Sequence, residues 1–417
     1  MRSGVALRFD DSRSSFNGQA HLGLTVKNKN LVYKLVGDVS ENVLICARPG
    51  AGKSNMMKVL YSWIAKKRQL MVFDWEGEDH KLSYFRNSDP INLPPGLELQ
   101  GFDRKRARFY AYHDNPLPHQ RIAIPNINNY DVDELEAVGF SESAAIEFKR
   151  LMRRYGGQFK DLADVVDFIR LYPDSAQSAA SMAKKPVNEW FKRYLPGDRL
   201  NQNTKTSLVK SLDFVVAKKM FRLDDKMEAP WIDDLRAGLH VFFDYGGFFE
   251  KAQVDIIHKL KRLFELRTKE QDDFPRVYLC YEEADALFQK SAEGDKSVKK
   301  VQKQGIYTVL RARKKGLGGL YCCPSIERMH PLITRNCYEK ILGPMEGADL
   351  DELRTLTKDP YLTEQVRNLK LMRPRNKGDK FKVEFIFQDE QKRAWIFEPF
   401  MSPCEIHREK KKGEEDE

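Results

Sequence analysis

The residues best suited to chemistry lie in Arg48-Pro49-Gly50-Ala51-Gly52-Lys53-Ser54-Asn55. They follow four apolar or small residues, Val43 to Cys46, which read as a short buried strand. They precede a stripe of Met56, Met57, Leu60, Trp63 and Ile64 at helical spacing. Strand, glycine turn, Gly-Lys-Ser and helix form the pattern of a phosphate-binding loop. Gly50 and Gly52 let backbone approach phosphate without a Cβ in the way. The N–H groups of the turn and of the helix start supply a concave anion site. Lys53 is placed for the β- and γ-phosphates, and the Ser54 hydroxyl for Mg²⁺. Ala47 stands where the full template carries its first glycine. A small residue fits there if the turn needs no positive φ.

A hydrolytic site needs acids opposite such a loop. Val277-Tyr278-Leu279-Cys280-Tyr281 is an apolar strand ending in Glu282-Glu283. One carboxylate can hold the metal through water and the next can orient or deprotonate the attacking water. Glu282 takes the first role in this reading and Glu283 the second. Asp74-Trp75-Glu76-Gly77-Glu78 closes another strand, 69–73, and is expected near the nucleotide or a subunit boundary, because ligands gather at the carboxyl ends of parallel strands. The stretch 289–318 is strongly basic. Lys296, Lys299 and Lys300 are candidates to track a nucleic-acid backbone, and an arginine after them is a candidate to reach a neighbouring subunit's γ-phosphate.

The elements that position these groups follow in order. Residues 1–40 carry three short β-like runs (5–9, 21–26 and 31–36), with a turn at Asn17-Gly18, and are expected to add a small β-structure against the core. Residues 41–127 hold the first part of an α/β core, loop-rich and proline-rich after residue 80. Residues 128–225 change to helix, with stripes at Ala145, Phe148, Leu151 and Met152, at Leu162, Val165, Val166 and Ile169, and at Leu208, Leu212, Val215 and Val216. Residues 226–345 return to the core, 346–406 hold a helix and a β-hairpin, and the charged tail 407–417 is expected to be disordered.

Composition narrows the classes. The 417 residues suffice for two or three domains. Lys and Arg number 71 against 61 Asp and Glu, a net charge of +10, which favours a polyanionic partner such as nucleic acid over an acidic small molecule. No apolar run approaches the roughly 18 residues needed to span a bilayer, and the N-terminus has no signal-peptide pattern. The six cysteines lie mostly in apolar strands without CxxC spacing, as reduced cytoplasmic thiols do. The histidines show no metal spacing, and no zinc site is expected.

Taken together, these stretches resemble the HerA–FtsK class of P-loop motor ATPases, most closely its HerA-like branch. The resemblance rests on residues 48–55, on Phe73-Asp74-Trp75-Glu76-Gly77-Glu78, on strand 241–246, on Glu282-Glu283-Ala284 and on Arg313-Lys314-Lys315-Gly316, and covers roughly residues 30–345. It implies a RecA-like, mainly parallel sheet with an all-helical insertion and small β additions at both ends. It also implies ATP and Mg²⁺ as ligands, a homohexamer, and ATP-driven movement of double-stranded DNA. By position, Lys53 and Ser54 are the Walker A pair, Glu282 and Glu283 the Walker B acids, and Arg313 the trans-acting arginine finger, with Arg311 its substitute. Two departures stand out. Pro324 occupies the place of a polar sensor, with Ser325 the nearest hydroxyl. Only about 40 residues precede the loop, so the barrel that supports nuclease docking in cellular relatives looks truncated. A mobile-element or viral setting is then as good a reading as one with a nuclease partner. The alternative function is an ATP-binding assembly module that does not translocate DNA.

Overall fold

The computed structural model describes residues 4–7, 19–35, 41–75, 77, 86–87, 93, 99–112, 116–173, 200–218, 221–224, 226, 228–246, 249–290, 296–372 and 382–402. The Asn17-Gly18 turn, Glu76, Glu78, and the 407–417 tail lie outside these residues. The chain divides into two compact units: residues 1–121, 230–293 and 304–417, and residues 122–229 with 294–303.

The first unit is built on one sheet of thirteen strands. Its parallel centre contains β4 (Asn42–Cys46), β5 (Gln69–Asp74), β8 (Ala107–Ala111), β10 (His240–Asp244), β11 (Val277–Tyr281), β12 (Gly318–Cys323) and β13 (Glu339–Leu342). They run in the order β13-β4-β12-β11-β5-β10-β8, each pair parallel, and β9 (Gln120–Ile122) continues the sheet beyond β8. At the other side β16 (Phe385–Gln388) pairs antiparallel with β13, and β17 (Ala394–Pro399) with β16, which is the expected C-terminal hairpin. The N-terminal strands β1 (Gly4–Leu7), β2 (Gln19–Thr25) and β3 (Leu31–Leu35) form the small β addition against the core that the sequence predicts. The addition is made by strand pairing: β2 pairs with β17 and carries β3 and β1 with it, because the free edge of β17 offers unpaired backbone groups. Two short ladders stand apart from this sheet, β6 (Arg86–Asn87) with β7 (Leu99–Gln100) and β14 (Leu371–Met372) with β15 (Lys382–Val383).

Strands buried on both faces read as continuous apolar runs rather than alternating ones. β4, β10, β11 and β12 are buried along their whole length. On one face helix α1 (Lys53–Ile64) packs, with Tyr61 edge-on to Phe242. On the other face the rings of Tyr110, Phe243, Phe73, Tyr281 and Tyr321 stack in sequence across five adjacent strands, with centroids 5.1 to 6.0 Å apart. This ladder fixes the lateral spacing of the strands whose ends carry the chemistry.

The second unit is mainly helical. Asp131 and Glu134 form a capping box on the helix Val132–Ala137. Ser141, Asp161 and Asn201 cap the helices Glu142–Tyr155, Leu162–Leu171 and Gln202–Ala217. Phe148, Leu151, Val165, Ile169, Leu208 and Leu212 are buried, as their spacing predicts; Val216, also in that stripe, is only half-buried. Among the described residues, no helix is long and apolar enough to cross a membrane.

Phe73 is fully buried and stacks on both Phe243 and Tyr281. Phe73→Ala should cost about 3–5 kcal/mol, read as a lower melting temperature or loss of soluble protein.

Candidate functional site: a phosphate loop facing two acids

The loop begins where β4 ends. Gly343 N–H donates to the Cys46 carbonyl at 2.8 Å, Arg48 N–H to Pro344 O at 3.0 Å, and Ala51 N–H to Arg48 O at 3.2 Å, which closes the turn. Gly50 and Gly52 adopt φ of 74° and 88°, values that only glycine takes without strain. Ala47 keeps an ordinary negative φ among the described residues and is fully buried. A Cβ added to Gly343 would come within 2.6 Å of the Ala47 Cβ, so the methyl at position 47 is accommodated by a glycine across the loop.

Helix α1 starts at Lys53 with no side-chain cap and no acid in its first turn. Its leading N–H groups and its positive dipole end are therefore left for an anion. Lys53 is buried with 9 % exposure and Ser54 is half-buried in the first turn. Arg48 forms an ion pair with Glu346, while Pro49 and Gly50 are exposed and Ala51 is buried. The Asn55 side chain is engaged by the C-terminal segment, donating to Phe400 O at 2.8 Å and accepting from Ser402 N–H at 2.7 Å. That leaves only the Asn55 backbone for the nucleotide-binding role expected of this residue.

The acids arrive from β11, two strands away from β4 with β12 between them. Glu282 is buried at 4 % exposure. Glu283 is half-buried and adopts φ 49°, ψ 47°. A left-handed conformation costs a non-glycine residue about 1–2 kcal/mol, and such strain persists where the surroundings impose a side-chain direction. The groups converge at the end of β12. Burial pushes the Cys322 thiol well above its usual value, and the charges that act on it next are those of Glu282, Lys53 and Glu283.

Two further acids had been expected or missed. Asp74 is buried, and its carboxylate accepts the Gly77 N–H at 2.9 Å, so it stabilises its own turn. Asp285 was not singled out by the sequence reading. It is 5 % exposed, and Lys53 is among the cations acting on it. The signal was a third acid three residues beyond Glu282.

Arg313 lies elsewhere. It opens the turn Arg313–Lys315 that leads into β12, with its guanidinium 4.9 Å from the Tyr338 ring centroid. Both residues precede their strands, at the end of the sheet opposite the loop. The six residues of β12 put about 17 Å between the two ends, so Arg313 does not face its own subunit's phosphate loop. Arg311 is exposed on the preceding helix. In the second unit Lys296 and Lys299 are exposed on the helix Lys296–Ala312, and Lys300 is ion-paired with Asp133 at 2.5 Å.

The family model for the central domain of the helicase HerA matches residues 20–271, more than half of the chain. This protein belongs to the HerA family. The family lies within the HerA–FtsK class of P-loop ATPases. No curated protein matches the sequence. Among solved structures, VirB4 of Thermoanaerobacter pseudethanolicus is similar at 13 % identity and TM-score 0.52, over 93 % of this chain and 98 % of that one. The bacterial conjugative coupling protein TrwB is similar at 12 % identity and TM-score 0.47, over 95 % and 86 %. The genome packaging NTPase B204 of Sulfolobus turreted icosahedral virus 2, in complex with ATP-gammaS, matches at 14 % identity and TM-score 0.29, over 42 % and 74 %. The VirB4 likeness is one of fold, and it agrees with the α/β P-loop architecture of this HerA-family sheet.

Replacing Glu283 by Gln keeps its size and removes its basicity. Glu283→Gln should bind ATP with little change and lose about 10²–10⁴-fold in hydrolysis, measured as phosphate release beside an equilibrium binding assay.

Proposed function

We propose that this protein is an ATP-driven translocase of double-stranded DNA that works as a ring of identical subunits, a hexamer by family analogy. One observation carries the reading: Arg313 sits about 17 Å along β12 from its own loop, so a contribution of Arg313 to hydrolysis is one made at a neighbouring subunit's loop.

The donor set suits Mg²⁺ with ATP. A hydroxyl in the first turn of α1 and a buried carboxylate are hard oxygen donors of the kind this ion takes while keeping several waters. Ser54 and Glu282 would hold it. Bound there, Mg²⁺ would neutralise charge on the phosphates. The chain's own groups do the rest. The N–H groups of residues 50–54 cradle the phosphates, Lys53 offsets the charge of the β- and γ-phosphates, and Glu283 orients the attacking water and takes its proton. Arg313 from the adjacent subunit stabilises the charge developing in the transition state, an effect worth 10³–10⁵-fold in related chemistry.

DNA as cargo rests on the family's helicase designation, on the net charge of +10, and on Lys296, Lys299 and Lys300, which share one helix face by their spacing. End processing, genome packaging and plasmid transfer are all settings for such a motor, with nuclease or mobile-element machinery as the partner. Pro324 at the sensor position favours a second reading, an ATP-binding assembly module without translocation.

Linear double-stranded DNA should raise ATP turnover several-fold, whereas tight ATP binding with no DNA response would select the assembly module. Arg313→Ala and Glu283→Gln should each be inactive alone and regain activity when their subunits are mixed, since some interfaces then hold both native residues. Absence of regain in mixed rings would contradict a shared interface.

A further inference from the structure

The amino ends of the central strands, away from the phosphate loop, gather positive charge. Lys66, Lys67 and Arg68 follow α1 and lead into β5, Lys105 and Arg106 lead into β8, and Arg276 leads into β11. These six cations line one cavity of about 690 Å³, together with residues 237–240 at the start of β10. Among the described residues no acid lines it.

The wall of the cavity is backbone that the fold holds in place. The N–H groups of Lys67 and Arg68 both donate to Ile64 O at 2.9 Å, and His240 N–H donates to Arg106 O at 3.0 Å. Leu70 N–H donates to His240 Nδ1 at 3.2 Å. Asp103, just before the second pair of cations, accepts the N–H groups of Lys105 and Arg106 on one carboxylate oxygen at 2.8 and 2.9 Å. A helix C-terminus favours cations through its dipole, and Lys66, 3.8 Å from the Trp63 ring centroid, is accounted for within α1. Lys105, Arg106 and Arg276 come from segments that lead into strands, so no helix end explains them. Lys67, Lys105, Arg106 and Arg276 are exposed. Among the described residues no ion pair engages Lys67, Lys105 or Arg106. Like charges gathered around a cavity without an acid repel one another, and an anion relieves that repulsion.

Spacing decides which anion. β8, β10, β5 and β11 are neighbours in that order. Three strand spacings put the cations ahead of β8 about 14 Å from the one ahead of β11. Over that length of helix axis one strand of a duplex carries about four phosphates. A compact anion would meet only part of the row. The six residues of β5 set the row about 17 Å from the strand ends that face the nucleotide. We infer that this cavity takes the phosphate backbone of a nucleic acid, through residues other than Lys296, Lys299 and Lys300. Contacts to phosphate carry no sequence information, which suits a grip that must be remade along the duplex. The site rests on the reading of the chain as a DNA translocase.

Anisotropy of a short fluorescent duplex, titrated at several salt concentrations with ATPγS present, tests the site, with melting temperature as the check on folding. Lys67→Gln, Lys105→Gln and Arg106→Gln combined should weaken binding at least about tenfold and make the slope of log K against log salt shallower by about 2 to 3. Hydrolysis of ATP without DNA should stay within about twofold of the wild type. Lys160→Gln, Lys210→Gln and Lys218→Gln combined, at exposed residues of the second unit, remove the same charge and should leave the slope near its wild-type value. A cavity triple variant with wild-type affinity and slope overturns the inference, and so does a control triple that loses as much. Tripolyphosphate that binds the wild type and not the cavity triple, with duplex binding unchanged, overturns it too, since the cavity then takes a small anion. Wild-type protein that binds no duplex at low salt overturns the DNA reading itself, and this site falls with it.

Discussion

An unpaid helix start organises this protein. Helix α1 begins directly after a left-handed glycine, without a capping side chain and without an acid in its first turn. Its leading N–H groups have no intrahelical acceptors, and Lys53 adds a buried positive charge at the same place. Such a terminus favours an anion. The sheet places acids on the same side, since β11 and β4 run parallel on either flank of β12 and Glu282, Glu283 and Asp285 follow β11 as the loop follows β4.

The interposed strand β12 matters most for how the site communicates. It separates the loop strand from the acid strand, so the residues at its far end are the natural reporters of what is bound between them. At its near end the turn Arg313–Lys315 points away from the same site. One strand thus links a subunit's own nucleotide to the arginine it would offer a neighbour. The hydrogen-bonded piece formed by residues 288–290 and 328–330 lies on the nucleotide side of that link.

Much of this could be read from residue types. Four apolar or small residues before Gly-Lys-Ser gave β4, and five before paired acids gave β11, because strands buried on both faces tolerate little else. The C-terminal hairpin was visible in the alternation of Phe385 and Phe387, and the helices of the second unit in their apolar stripes. What could not be read depends on pairings distant in the chain. Nothing local says that β12 lies between β4 and β11, or that β2 joins β17 and extends the main sheet. Asp74 ends β5 as its position in the sequence suggested, and its Oδ1 accepts the Gly77 N–H, a bond within the turn that residue types do not announce. Asp285 was invisible for the opposite reason, since only its burial and a carboxylate oxygen without a hydrogen-bond partner among the described residues distinguish it from a surface acid.

The proposed function depends above all on the α1 start and Lys53 binding phosphate. Steady-state ATP hydrolysis by Lys53→Ala beside the wild type tests it most directly, with melting temperature as the check on folding. The variant should fold and its hydrolysis should fall to background. A folded variant that hydrolyses ATP at the wild-type rate would contradict it.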